Sequence, residues 1–326
     1  MTAETAAGPE RHATTGGAKA DEVRAGAVIG GNGPVTPTQR GRGNSTDTGP
    51  SLSPSRAADF KTCPLLYRLR SIDRIPERST PEQVRGTLVH AVLERLFDLP
   101  AADRTVDAAV AMVPRQWQLL TEREPELAVV AGDGAADTEA FLAAARPLLE
   151  GYFAVEDPQR LEPAERESLV TAVVDGGLLL RGYVDRLDIA PGGALRVVDY
   201  KTGGAPREAF EARALFQLKF YALVLWRARG TVPAALRLLY LKDAQACDYR
   251  PDAEELDRFE RTLIALWAAI ERAREHRDFR PTPSRLCDWC DHQSRCPAFG
   301  GTPPPFPEDL SSPVLGRTGP PDDQPD

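Results

Sequence analysis

The run LLLRGYVDRLDIAPGGALRVVDYKTG, residues 178–203, decides the fold of this chain. Its two apolar halves flank the turn sequence APGG, which predicts adjacent strands over Leu178–Ile189 and Leu195–Lys201. The second strand ends in Asp199 and Lys201, whose two-residue spacing puts both side chains on one face. Asp185 lies on the neighbouring strand. The sequence therefore predicts that charged side chains meet within a largely apolar sheet.

Elements on both sides of this run complete an α/β pattern. The segment Ser168–Val174 predicts a further strand, which the hairpin signal DGG joins to the next one. A helix over Pro81–Leu96 is predicted from apolar residues that repeat at helical spacing. The other predicted elements are an interrupted helix at 51–70, helices at 105–122, 137–154, 208–229 and 252–275, and a strand at 235–242. This order predicts a sandwich with a mixed β-sheet flanked by helices.

The two ends of the chain are predicted to be disordered. Of the 326 residues, 1–50 and 302–326 form polar tracts rich in Pro and Gly, without a periodic apolar pattern. Such tracts cannot bury enough surface to offset the entropy of an ordered chain. We therefore expect a folded domain over 51–301, preceded by a disordered tail and followed by an acidic, Pro-rich one.

Composition excludes several functional classes. The net charge is −8, and the C-terminal tail carries −4 of it, so the folded region has no overall basic field for nucleic acid. No apolar run has the length of a transmembrane helix, and the N-terminus lacks the pattern of a secretory leader. We therefore expect a cytoplasmic protein without a membrane partner, in which the five cysteines are not disulfides.

Asp185 and Asp199 predict a metal site. Two carboxylates that converge from neighbouring strands offer the hard oxygen ligands that Mg²⁺ and Mn²⁺ prefer. Lys201 beside them could orient or deprotonate a metal-bound water, or stabilise a phosphoryl transition state. These residues favour metal-assisted hydrolysis of phosphodiester bonds. The alternative is a solvated strand end, in which Asp185 pairs with Arg181 or Arg186.

The stretches GYVDRLDI and LRVVDYKTG together resemble the core motif of the PD-(D/E)XK nucleases. The resemblance is to the RecB-type branch, which includes the nuclease domains of RecB and AddB and the CRISPR-associated exonucleases. It implies a restriction-endonuclease-like core. It also implies that Asp185 and Asp199 are metal ligands, that Lys201 is the catalytic lysine and that the Tyr200 carbonyl is a further ligand.

Two more stretches resemble motifs of this branch. The sequence GTLVHAVLE, Gly86–Glu94, resembles a helix whose histidine binds the metal, which implies that role for His90. A structural core histidine is the alternative. The sequence QLKFYALVL, 217–225, resembles a helix that borders the DNA, and Gln217 and Tyr221 share one face of it. The alternative for Tyr221 is a core aromatic residue with a satisfied hydroxyl.

Relatives in this branch also have an acid in or before the first strand of the sheet. Three glutamates are available here, Glu162, Glu165 and Glu167. We favour Glu165 as the catalytic acid, with Glu167 next, and surface charge is the alternative for either.

The cysteines predict a second metal site. Cys287, Cys290 and Cys296 form a C-x₂-C-x₅-C pattern, whose thiols permit zinc or an iron–sulfur cluster. In the zinc alternative, His292 could complete a Cys₃His site. The family resemblance adds Cys63, and these four cysteines then match the positions that hold a [4Fe–4S] cluster in AddB and related nucleases. Such a cluster would join the N- and C-terminal segments of the fold.

The resemblance implies a metal-dependent DNA exonuclease that acts on single-stranded or frayed ends in repair or recombination. A phosphate-binding GxxxxGK[ST] loop is absent from the sequence, so a helicase would have to be a separate partner. The alternative is a non-catalytic or accessory nucleic-acid-binding subunit of a helicase–nuclease complex. An iron–sulfur redox protein is a weaker reading, because no flavin or dinucleotide motif accompanies the cysteines.

Overall fold

The structure is a computed structural model that describes residues 51–132, 134–205 and 208–307. The expected N-terminal tail, 1–50, and residues 308–326 of the expected C-terminal tail lie outside this range. The helices are α1 (Pro54–Thr62), α2 (Pro64–Tyr67), α3 (Pro81–Leu96), α4 (Val106–Arg123), α5 (Leu127–Val130), α6 (Ala135–Ala143), α7 (Arg146–Val155), α8 (Glu208–Arg229) and α9 (Ala253–Glu275). The strands are β1 (Ser51–Leu52), β2 (Glu165–Val174), β3 (Leu178–Ile189), β4 (Leu195–Lys201), β5 (Ala235–Tyr240) and β6 (Gln245–Tyr249).

These strands form a single mixed sheet. Its order is β1-β3-β4-β5-β6, and β2 also pairs with β3. The pairs β1–β3 and β4–β5 are parallel, whereas β2–β3, β3–β4 and β5–β6 are antiparallel. The predicted mixed sheet flanked by helices is therefore confirmed, and α8 is the crossover that makes β4 and β5 parallel.

Helix α3 begins and ends where the sequence predicts. Thr80 and Gln83 form a reciprocal capping box at its N-terminus, and Pro81 occupies the first turn, where its missing N–H costs nothing. Its buried residues include Val84 and Leu88, which pack in the core between the sheet and α4. The helix is thus fixed by local capping and by one buried face, and it holds His90 against the sheet.

Each face of the sheet has its own hydrophobic core. Val197 of β4 packs in the core that contains residues of α8 and α9. Its neighbours Val198 and Tyr200 pack in the core that contains residues of α3, α4 and α7. The alternation along β4 therefore directs successive side chains into two different helical layers.

Several predicted elements differ from the structure. The interrupted helix expected from residue 51 begins at Pro54, after β1, and the strand expected from Ser168 begins at Glu165. The helix expected over 137–154 is two helices, α6 and α7, because Pro147 occupies the start of α7 and disfavours helix before it. The strand expected over 235–242 ends at Tyr240. Strand β6 was not predicted, because its short sequence QACDY is polar and half exposed at the sheet edge.

Residues 302–307 have no regular secondary structure, but they pack on the preceding fold. The Phe306 ring stacks on Phe279 with 5.9 Å between centroids, and the Arg68 guanidinium lies 5.1 Å from the Phe306 centroid. Arg68 also donates to the carbonyl of Pro304. These contacts attach the chain beyond Gly301 to the helical segment that follows α2.

In the described part of the chain, no helix combines the length and the apolar character needed to cross a bilayer.

Candidate active site

The candidate site lies where β3 and β4 separate. The two strands pair over 186–189 and 195–198, and the last pair is Arg186 with Val198. The next residue on each strand is a predicted ligand, Asp185 on β3 and Asp199 on β4. Asp185 Oδ2 accepts a hydrogen bond of 2.7 Å from the Tyr200 backbone N–H. The Asp185 side chain thus takes the place of the next hydrogen bond between the strands, and both acids lie at this fork, where the strands separate.

Helix α3 brings a histidine to the fork. His90 Nδ1 lies 3.6 Å from Asp185 Oδ2 and 3.8 Å from Glu167 Oε1. His90 Nε2 lies 2.9 Å from the Tyr200 carbonyl oxygen. Among the described residues, His90, Glu167 and Asp185 are the set whose ligand atoms converge closely enough to hold one metal ion. Three predicted site residues therefore meet here, together with one glutamate.

That glutamate is Glu167, not the favoured Glu165. The Glu165 carboxylate pairs with Arg229 of α8, on the other side of the sheet from His90. Glu162 is exposed and lies 3.0 Å from Arg104. Neither of these acids reaches the group, so the geometry reverses our preference between Glu165 and Glu167.

A change of backbone conformation explains this reversal. Glu167 has φ +43°, in the left-handed region that residues other than glycine rarely adopt. Before it, Glu165 faces α8 and Arg166 donates to the carboxyl end of α3. After it, Val170 faces the core on the α8 side. The alternation of side chains therefore breaks at Glu167, and a simple period of two misplaces the glutamates.

The second predicted acid belongs to a hydrogen-bonded chain on the α8 side. Asp199 is 2 % exposed, and its Oδ2 lies 2.9 Å from Lys201 Nζ. Lys201 Nζ donates to Gln217 Oε1 at 2.8 Å, and Gln217 Nε2 donates to the Tyr221 hydroxyl at 2.9 Å. The residues predicted to border DNA thus hold the predicted catalytic lysine in place.

Tyr221 is buried in the core, with 1 % of its surface exposed. A Cβ atom at Gly182 would lie 2.7 Å from Tyr221 Cε1, which is closer than side chains tolerate. Glycine at position 182 of β3 therefore makes room for this ring. The burial and the satisfied hydroxyl agree with the core-aromatic alternative for Tyr221.

The acids at the fork perturb one another. Burial and the nearby Asp199 and Glu167 carboxylates raise the pKa of Asp185, against the opposing effect of His90. Burial favours neutral His90, but the Asp185 and Glu167 carboxylates outweigh it and raise the pKa of His90. Crowded, buried acids of this kind favour a bound cation. The donor set of carboxylates, imidazole and a carbonyl oxygen fits Mg²⁺ or Mn²⁺.

A buried arginine next to the fork makes contacts that the sequence did not predict. Arg186 is fully buried and makes two hydrogen bonds of 2.7 and 2.9 Å to the Glu156 carboxylate. It also donates to Asp188 and, at 2.9 Å, to the Tyr200 hydroxyl. Arg186 is therefore not the partner of Asp185 that the solvated-strand alternative requires. Arg186 fixes the side chain of Tyr200, and the backbone N–H of Tyr200 donates to Asp185.

The four cysteines predicted as cluster ligands line one cavity. Cys63 follows α1, Cys287 lies within the 3₁₀ segment Arg285–Trp289, and Cys290 and Cys296 each follow a 3₁₀ segment. Backbone N–H groups of Thr282 and Ser284 donate to the sulfurs of Cys63 and Cys287, each at 3.3 Å. Burial raises the pKa of Cys290. In the described residues, these sulfurs do not form a group tight enough to share one ion.

Two neighbouring residues bear on the zinc alternative. His292 is 1 % exposed and lines the same cavity, but its Nε2 lies 2.8 Å from Glu77 Oε1. That carboxylate also accepts from Arg70, so the buried imidazole contacts a partly exposed ion pair. Cys247 is on edge strand β6 and partly packs against the core on the α8 side.

Comparison with known proteins agrees with this geometry. The family model of the PD-(D/E)XK nuclease superfamily matches residues 51–297. The Gene 69 protein of Mycobacterium phage D29 is 27% identical over 273 residues, which cover 77% of this chain and 97% of that protein. The Gene 69 protein of Mycobacterium phage L5 is 27% identical over 126 residues, 38% of this chain and 41% of that protein.

Among solved structures, a candidate exonuclease from Eubacterium rectale has a TM-score of 0.49 and 13% identity. The match covers 74% of this chain and 87% of the other. The family match spans the whole helical and sheet framework described above. This chain belongs to the PD-(D/E)XK nuclease superfamily, and it is a hydrolytic nuclease with the mixed α/β fold of that superfamily.

Proposed function

We propose that this protein is a metal-dependent DNA exonuclease whose reaction centre is the fork between β3 and β4. The observation that carries the proposal is the convergence of His90, Glu167 and Asp185 beside the Asp199–Lys201 pair. In this proposal Glu167 takes the role that we had given to Glu165. Asp185 and Asp199 would be metal ligands with His90 and the Tyr200 carbonyl.

The residues of the fork divide the work. A bound Mg²⁺ or Mn²⁺ would neutralise phosphate charge and lower the pKa of a water molecule. Lys201 has its amine held between Asp199 and Gln217, so its position is fixed before substrate arrives. A cation held there can orient the attacking water or stabilise the charge that develops on the phosphate. Gln217 acts through Lys201 and is a positioning residue.

The finer substrate assignment rests on the motifs of the RecB-type branch. We propose that the substrate is DNA with a single-stranded or frayed end, and that the biological context is repair or recombination. The sequence holds no phosphate-binding loop of a helicase motor, so strand separation would come from a separate partner.

We also propose a [4Fe–4S] cluster at Cys63, Cys287, Cys290 and Cys296. Support comes from the shared cavity and from the N–H donors to two sulfurs. The four sulfurs do not converge closely enough to share one ion, which disfavours a single zinc ion at these cysteines. The Glu77 contact of His292 also disfavours a Cys₃His zinc site. The role of the cluster would be to join two distant segments.

A cleavage assay tests the nuclease proposal. End-labelled linear single strands and a closed single-stranded circle are incubated with the full chain, with Mn²⁺ and with EDTA. We expect degradation of the linear strand in Mn²⁺ only, and survival of the circle because it has no end. Binding without cleavage in Mn²⁺ would favour the non-catalytic alternative. Rapid cleavage of the circle would show an endonuclease.

A further inference from the structure

One face of the β2–β3 hairpin is left uncovered next to the fork. On β2, Leu169 is 48% exposed and Val173 is 64% exposed. The cross-strand partner of Leu169 is Tyr183, and the partner of Thr171 is Arg181. The opposite face of the same hairpin packs in the core on the α8 side, through Val170, Ala172, Val174, Leu180 and Val184. Among the described residues, no helix covers this part of the hairpin, although α3 covers the same side of the sheet at the fork.

This uncovered face continues directly from the proposed metal ligands. Tyr183 lies two residues from Asp185 on β3, and Leu169 lies two residues from Glu167 on β2. Glu167 and Asp185 turn toward His90, on the side of the sheet away from α8. The Leu169–Tyr183 pair is thus the next row of side chains on that side, roughly 7 Å along the strands at the usual rise per residue.

The chemistry of this row suits an unpaired nucleotide. In the residues that the structure describes, Arg181 has no carboxylate partner, and the Tyr183 ring stacks on no other aromatic side chain. An available guanidinium binds a backbone phosphate, and a partly exposed aromatic ring stacks on a base. Duplex DNA hides the faces of its bases, so stacking on Tyr183 selects a single strand.

We infer that Leu169, Arg181 and Tyr183 form a binding platform for the single-stranded DNA that adjoins the scissile phosphate. A base stacks on Tyr183 beside Leu169, and a phosphate is bound by Arg181. The inference deepens the proposed function, since it rests on a nuclease centre at the fork. The platform supplies a local binding surface in a chain whose overall charge, −8, disfavours DNA.

The first test is binding without cleavage. Fluorescence anisotropy of a labelled 20-mer of thymidylate is measured with the full chain in EDTA. Tyr183→Ala should weaken binding by about 5- to 150-fold, the range for loss of one base–aromatic stack. Tyr183→Phe should retain binding, because the ring remains. Arg181→Ala should weaken binding and reduce the salt dependence by about 0.7 in log–log slope.

The matched control is Arg261→Ala, an exposed arginine on α9. It should leave both affinity and salt dependence unchanged. Thermal melts of every variant distinguish the loss of DNA contacts from the loss of folding. Tyr183→Ala with a wild-type melting temperature and weak binding supports the platform, and so does retention of binding by Tyr183→Phe.

The second test separates the platform from the metal centre. Hydrolysis of bis(p-nitrophenyl) phosphate, which has no nucleobase and no neighbouring phosphate for Arg181, is compared with cleavage of the 20-mer in Mn²⁺. For Tyr183→Ala, we expect the loss on the 20-mer to exceed the loss on the small diester at least tenfold. A wild-type protein that hydrolyses neither substrate refutes the nuclease proposal, and the binding data then decide the platform alone.

Binding of the 20-mer by Tyr183→Ala and Arg181→Ala within twofold of wild type would overturn the inference. Equal losses for Tyr183→Ala and Tyr183→Phe would also overturn it, because they would exclude stacking. A dimer in solution that Leu169→Ser dissociates would assign the face to a second copy of the chain instead.

Discussion

The fork and the cysteine cavity are two proposed metal centres built in opposite ways. At the fork, the ligands project from long elements that are packed on both faces, and hydrogen bonds fix Asp185, Tyr200 and Lys201 in advance. At the cavity, Cys287 lies within a short 3₁₀ segment, and Cys290 and Cys296 follow such segments, none of which has buried residues of its own. At the fork the folded protein positions the ligands, whereas at the cavity the proposed cluster would hold the chain segments in place.

This difference separates the expected effects on activity from those on stability. Loss of a ligand at the fork should remove catalysis and leave the fold, because the two cores do not depend on the metal. Loss of a ligand at the cavity should weaken the fold itself, because exposed residues such as Leu286 and Trp289 provide little packing there.

The largest expected effect is at Asp199. We expect Asp199→Asn to lower the cleavage rate by about a thousandfold or more, because in the proposed centre it would remove a charged metal ligand that acts in the transition state. The melting temperature should change little. End-labelled DNA and a thermal melt measure the two quantities.

The matched control is Asp248→Asn, which loses an ion pair with Arg237 elsewhere in the same sheet. It should cleave at the wild-type rate. Lys201→Ala should be as inactive as Asp199→Asn but still bind Mn²⁺ in calorimetry, because the amine is not a ligand. Near-normal cleavage by Asp199→Asn in Mn²⁺ would contradict the site assignment.

The next effect is on stability, at Cys63. A cluster there would close a loop of more than two hundred residues, which contributes on the order of 4–5 kcal/mol in the cross-link model. Domains of this size have unfolding free energies of about 5–15 kcal/mol, so the loss should be large. Anaerobically purified protein should be brown, with about four irons per chain, and Cys63→Ser should bleach it and lower its melting temperature.

Cys247→Ser is the matched control, since Cys247 lies on β6 and outside the set that lines the cavity. It should keep the colour and the iron. One zinc ion per chain in the wild type, or an unchanged colour in Cys63→Ser, would contradict the cluster and restore the zinc alternative.

A smaller effect on stability is expected at Gly182. The methyl group of Gly182→Ala would overlap the Tyr221 ring, and overpacking of this kind costs about 1–3 kcal/mol. Urea denaturation measures the loss. The matched control is Gly192→Ala in the β3–β4 turn, where a new methyl group meets no atom within 4 Å. Equal stability of both variants would show that Tyr221 is not packed against β3.

The smallest expected effect is a pH dependence of metal binding at the fork. The pKa of His90 is raised, so its contribution to stability is present at low pH and is lost as the pH rises through the raised pKa. The raised pKa of Asp185 acts in the same direction, because ionisation of the buried carboxyl disfavours the folded state. The metal-free protein should therefore lose stability between about pH 4, where an ordinary aspartate ionises, and about pH 9, the raised pKa of His90.

Mn²⁺ should reverse this trend, since it displaces the protons of His90 and Asp185. We expect the increase in melting temperature on addition of Mn²⁺ to grow with pH over the same interval. His90→Gln should bind Mn²⁺ more weakly and show a flatter dependence. If His90→Gln instead lowers the melting temperature without changing Mn²⁺ affinity, His90 is a structural core residue.

Sequence reasoning succeeded where the controlling forces are local. The bounds of α3 follow from a capping box and one apolar face, and those of β3 and β4 follow from apolar runs separated by a turn. Asp185 and Asp199 were predicted from their places on neighbouring strands. The metal-binding role of His90 was predicted from the family resemblance of its helix.

The remaining features depend on contacts between distant segments. No local pattern shows that Glu167 leaves the alternation of its strand, or that Arg186 turns inward to meet Glu156 at the end of α7. The partner of His292 is Glu77, more than two hundred residues earlier in the chain. The sequence did show that the assignment of the glutamate was open. Three glutamates lie within six residues, and strand alternation alone could not decide which of them faces the site.

The backbone of Glu167 has a consequence for how this enzyme can change. A left-handed conformation costs a side chain such as glutamate roughly 1–2 kcal/mol, and asparagine or glycine tolerates it better. Replacing Glu167 by either residue also removes a negative charge from a crowded pocket. Selection for heat resistance alone should therefore favour such replacements, and the resulting proteins would be sturdier and inactive. Retention of glutamate at this position would then indicate selection for nuclease activity rather than for stability.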